Sequence, residues 1–158
     1  MLRGPLGTFE RRFRCNMKKN KLTIDYPIDF ELAGIVCREK EYKLAWNLNQ
    51  LPKLHLVKLK DLKIEFSDNK SVSVSVMSME TEYLGIYLLK NRLSASSSSA
   101  QQYLLSELQQ FDYLMKITSQ IEPSLLLELL PEMKKIDIID FCVKVDLEKV
   151  KMRENLLF

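Results

Sequence analysis

The sequence predicts an α+β domain, a mostly antiparallel sheet covered on one face by two helices. Three observations carry that prediction. Several segments alternate apolar and polar residues with period two, two stretches space their leucines at helical intervals, and short polar turns join the middle strands. The order reads β-α-β-β-β, then a Ser-rich loop, then β-α-β. A ferredoxin-like or ligand-sensor-like sandwich accommodates that order.

The first strand has apolar residues at Leu22, Ile24, Tyr26, Ile28, Phe30 and Leu32, with Asp25, Asp29 and Glu31 between them. Pro27 lacks a ladder N–H and predicts an edge or a break there. The strand continues through Gly34 to Cys37. Glu41 to Leu51 reads as a helix whose buried stripe is Leu44, Leu48 and Leu51 beside Ala45, stopped by Pro52. The next strand changes phase, which predicts a bulge or break near Val57 and again near Asp61.

Ser67 to Lys70 reads as a turn. Val72, Val74 and Val76 then alternate with Ser71, Ser73 and Ser75 as one strand. A turn at Glu80 to Glu82 leads to a strand over Tyr83 to Leu89. Residues 93–102, centred on the serine run 96–99, read as a mobile surface loop.

In the last third, Phe111 to Ile117 reads as a strand, and Glu122-Pro123-Ser124 opens a helix. Its stripe is Leu125, Leu126, Leu129, Leu130 and Met133, and Pro131 predicts a kink or an early end. In the final strand Ile139, Phe141, Val143 and Val145 form the apolar face, against Asp140, Cys142, Lys144 and Asp146. The terminus Leu156-Leu157-Phe158 is expected to dock on the core.

The chain is 46% hydrophobic and 28% charged, enough apolar material for a core without disulfides or metal. The net charge of +3 belongs to residues 1–16, where Arg3, Arg11, Arg12 and Arg14 face only Glu10. Residues 1–16 therefore read as a disordered basic leader ahead of a natural start at Met17, with a single domain over 17–158. The neutral remainder weakens a nucleic-acid reading. Three widely spaced cysteines and one histidine predict neither a disulfide framework nor a zinc site, and free thiols suit the cytoplasm. No run approaches the ~20 apolar residues of a membrane helix.

Phosphate-loop, dinucleotide, zinc-protease and serine-elbow patterns are absent from the sequence. His55 stands alone in Leu54-His55-Leu56, and the pairs Glu80/Glu82 and Asp137/Asp140 have no third ligand for a metal. No catalytic residue, cofactor or metal is expected. Trp46 lies about 100° round the helix from Ala45, away from the Leu44–Leu48 ridge. With Lys43 and Asn49 it makes a candidate binding surface of aromatic and polar groups.

The segments Asp29-Phe30-Glu31-Leu32-Ala33-Gly34-Ile35 and Glu41-Tyr42-Lys43-Leu44-Ala45-Trp46-Asn47-Leu48-Asn49 resemble an uncharacterised bacterial family, IPExxxDY, named for its Ile-Pro-Glu-xxx-Asp-Tyr motif. The matching segment here is Leu105-Ser106-Glu107, then Asp112-Tyr113, with Ile-Pro replaced and four intervening residues instead of three. The resemblance implies no activity. It adds Glu107, Asp112 and Tyr113 as candidate binding residues. A structural role is the other reading of them, with Glu107 capping or pairing with a lysine, Asp112 ending a loop and Tyr113 buried.

The function expected from these readings is a non-enzymatic protein-interaction or accessory module, with a protein partner or a homodimer. A dimeric small-ligand sensor holding a metabolite and an RNA-associated protein are the alternatives.

Overall fold

A computed structural model describes residues 29–65, 71–93, 101–120, 124–151 and 153–157. The predicted leader, the start at Met17, the strand residues before Asp29, the turn at 67–70, the serine run and Glu122-Pro123 lie outside them.

The main sheet has six strands, all paired antiparallel, in the order β10-β1-β9-β6-β5-β2. Its members are β1 (Phe30–Val36), β2 (Val57–Lys58), β5 (Val76–Glu80), β6 (Leu84–Lys90), β9 (Tyr113–Ser119) and β10 (Phe141–Val145). Helix α1 (Glu41–Leu48) follows β1, and α2 (Leu125–Met133) joins β9 to β10. Because β9 and β10 both run antiparallel to β1, which lies between them, they are parallel to each other. The four strands β10-β1-β9-β6 thus have the order of a split β-α-β, ferredoxin-like unit, and β5 and β2 extend it at one edge.

Both helices lie on the first face of the sheet. Leu44, Ala45 and Leu48 of α1 and Leu126, Leu129, Leu130 and Met133 of α2 share one core with Ala33, Ile35, Ile86, Leu88, Tyr113, Met115 and Ile117. Each such fully buried Leu or Ile contributes about 1.5–3 kcal/mol over its exposed state. The second face carries a separate core of Phe30, Leu32, Val76, Leu89, Leu114 and Val145. Its roof is short pieces: the hairpin β3 (Leu62–Glu65) with β4 (Ser71–Val74), the pair β7 (Arg92–Leu93) with β8 (Gln102–Tyr103), and single turns at Ser106–Leu108, Leu147–Lys149 and Arg153–Leu156.

Several sequence expectations change in a physically instructive way. The phase slips near Val57 and Asp61 mark a change of sheet, since β2 pairs with β5 whereas β3 leaves to pair with β4. The valine–serine strand likewise turns at Ser75 from one sheet into the other. Helix α1 ends at Leu48 because Asn49 turns its side chain to the next segment. The strand predicted from Phe111 begins at Tyr113. Helix α2 runs past Pro131 to Met133, with Leu126, Leu129, Leu130 and Met133 buried and Leu125 partly buried, and Ser124 caps its start by accepting from the Leu127 N–H.

In β10 the predicted apolar face divides. Cys142 is buried toward the helices, while Phe141 is 54% exposed on the edge strand and Val143 is also exposed. At the terminus Leu156 docks in the second core and Leu157 stays partly exposed. Among the described residues no helix is long and apolar enough to cross a membrane.

Candidate interaction face on the first helix

Helix α1 buries Leu44, Ala45 and Leu48, so residues on its other side stand in solvent. Tyr42 and Trp46, four residues apart on that side, are 63% and 64% exposed. Lys43 is exposed beside them, with its ammonium 3.0 Å from the Glu39 carboxylate. An exposed pair of this kind contributes at most about 1 kcal/mol.

Both ends of α1 are clamped. At the start, the Tyr113 hydroxyl donates to the Glu39 carbonyl at 2.5 Å, and the Cys37 N–H donates to Asp112 Oδ2 at 3.1 Å. Asp112 is fixed in turn by its N–H bond to the Ile35 carbonyl and by Arg92 at 3.6 Å. Lys90 lies 3.8 Å from Glu41 in the first helical turn. At the far end the Asn49 amide closes a two-way clamp, donating to the Leu56 carbonyl at 2.9 Å and accepting from the Leu56 N–H at 2.6 Å.

The six residues singled out in the sequence therefore separate. Lys43 and Trp46 share the open helical face, whereas Asn49, Asp112 and Tyr113 hold the helix in place from the side and from below. Tyr113 is buried among the sheet and helix side chains, and burial, with the carboxylates near it, pushes its phenol well above the ordinary range. Glu107 belongs elsewhere: its carboxylate accepts from the Lys151 N–H at 2.9 Å and ties down the chain's last segment on the second face. Tyr42 was not singled out, although its i, i+4 spacing to Trp46 was the available signal.

The remaining titratable groups sort by burial. Burial raises the thiols of Cys37 and Cys142, as suits packed side chains. His55 is exposed beyond any strand. Among the described residues no group of three His, Cys, Asp or Glu could hold a metal ion.

The second face contains a cavity of about 570 Å³ lined in part by Tyr87, Lys116, Thr118 and Gln120. Lys116 escaped notice because a lysine between Met115 and Ile117 reads as the solvent side of a strand, and here that side is roofed. Comparison with protein-family models, with curated proteins and with solved structures finds no match.

Proposed function

We propose that this chain is a protein-interaction module without a catalytic role, and that the open face of α1 docks its protein partner. The observation that supports this reading is the aromatic pair Tyr42 and Trp46, standing in solvent on a helix anchored at both ends. Trp and Tyr dominate the energetics of protein interfaces because each buries a large rigid surface and carries one polar group. A helix fixed before binding adds little ordering cost to association. The partner fitted to this face offers an apolar socket for the indole, with acceptors for the Trp46 N–H and the Tyr42 hydroxyl.

The test compares capture by the parent chain with capture by Trp46→Ala and Tyr42→Ala, alongside a size measurement of each purified protein. The expected result is one stoichiometric partner whose affinity falls about 30-fold with Trp46→Ala, equivalent to about 2 kcal/mol. A partner retained equally by both variants contradicts the reading. So does a monomer that retains no protein.

A further inference from the structure

The second face holds a group that the helix-face reading does not use. Lys116 lies mid-strand on β9, directly across from Leu32 of β1 and Tyr87 of β6, and is only 6% exposed. Its Nζ sits 5.0 Å from the centre of the Phe30 ring and 5.4 Å from that of Tyr87. It donates to the Leu156 carbonyl at 2.6 Å. Burial lowers its pKa and Asp29 opposes the shift, so the neutral amine is more accessible than for a surface lysine.

Lys116 is among the residues that line the cavity of about 570 Å³. Period-two geometry builds its wall: Gly85 and Tyr87 on β6 face the same way as Lys116 and Thr118 on β9, with Glu80 of β5 alongside. Gly85 leaves room there, since a Cβ at that position would come within 3.1 Å of the Tyr87 ring. The Tyr87 hydroxyl donates to Glu80 at 2.7 Å. Asp29, Glu82, Tyr83 and Gln120 also line the cavity. Its volume falls within the range of small-molecule sites.

We propose that this cavity binds a small, neutral, hydroxylated aldehyde or ketone of the open-chain sugar type, and that Lys116 joins it as an imine. The Nζ lone pair attacks the carbonyl carbon, forming the C–N bond, and the carbonyl oxygen becomes a hydroxyl as a proton moves to it from nitrogen. That hydroxyl leaves as water with the second nitrogen proton, giving C=N. Nothing is oxidised or reduced. Three carboxylates against one amine disfavour an anionic keto acid, while Glu80, Thr118 and Gln120 supply partners for hydroxyl groups and the tyrosine rings pack on C–H faces. The inference stands independently of the α1 face.

The test treats the whole chain at neutral pH with glyceraldehyde and cyanoborohydride, which reduces the imine to a stable amine, and locates the adducts by peptide mass spectrometry. Lys116 is expected to be labelled several-fold ahead of the exposed Lys40 and Lys134, and ahead of its own labelling by the anionic aldehyde glyoxylate. Replacement by Lys116→Arg, whose guanidinium forms no such imine, is expected to remove that adduct, with the thermal midpoint measured beside it to show that the variant is folded. Labelling of Lys116 no faster than of the surface lysines overturns the imine. Equal or faster labelling by glyoxylate overturns the neutral-ligand assignment.

Discussion

The two faces of the sheet are covered in opposite ways. On the first face two helices supply an almost wholly apolar layer, and among the described residues Tyr113 is the one phenol buried in the core there. On the second face the cover is made of one short hairpin, β3 with β4, together with two-residue strands and single turns, and polar side chains hold it down. Asn91 is fully buried and bonds in three directions, donating to the carbonyls of Leu108 and Phe111 at 2.8 and 2.9 Å and accepting from the Leu105 N–H at 2.9 Å. Asn155 donates to the Leu104 carbonyl at 2.9 Å, and Glu107 and Lys116 tether the C-terminal segment. The difference follows from backbone chemistry. A helix satisfies its own N–H and C=O groups, so an apolar stripe suffices to seat it, whereas irregular segments leave groups that need side-chain partners.

That contrast can be broken at its strongest point with Asn91→Ala, which removes three hydrogen bonds and leaves their backbone partners buried. Chemical denaturation should show a loss of about 3 kcal/mol, the largest of the single changes considered. Gly34→Ala comes next. A Cβ at Gly34 would lie 2.5 Å from the Phe111 ring, which closes the second face over β1, and the forced shift should cost about 2 kcal/mol in the same assay.

Tyr113→Phe tests the polar contact that reaches from the sheet to the helical side. Losing its bond to the Glu39 carbonyl should cost about 1 kcal/mol. It should also alter the alkaline limb of stability. A phenol whose folded pKa is raised contributes stability that is complete below its ordinary value of 10.0 and is lost as the pH rises through the folded value. Tyr87, pushed up to about 12 by burial and Glu80, acts in the same direction. The parent protein should therefore destabilise on titration above that ordinary value, and Tyr113→Phe should do so less steeply. At the small end, Trp46→Ala changes an exposed side chain and should shift stability by no more than about 0.5 kcal/mol.

Much of the first face was legible in the sequence. Leucines at helical spacing against alternating strands define it, whereas the cap at Ser124 was not read, because Pro123 beside it reads as the helix start. The second face was less so: the alternation of β3 and β4 could be read but not their departure from the main sheet, and the other pieces of the cover are too short to have a period. Val74 and Val76 look like one strand but belong to two sheets on either side of Ser75. Asn91 follows an apolar strand and reads as an ordinary turn residue, although it organises residues 104–112. Phe141 and Val143 read as core, yet their strand lies at the sheet edge, a position set by long-range pairing that local pattern does not encode. Trp46 could be placed outside the helix stripe from its angle alone, while the clamps that hold its helix join residues up to 75 positions apart.

Trp46 is the chain's single tryptophan, so its fluorescence reports directly on the face assigned to partner docking. Acrylamide quenching of that emission, measured for the isolated protein and again with the captured partner at saturation, is the most direct test. The interaction reading predicts efficient quenching in the isolated protein and strong protection in the complex. Emission that remains equally quenchable once the partner is bound contradicts it.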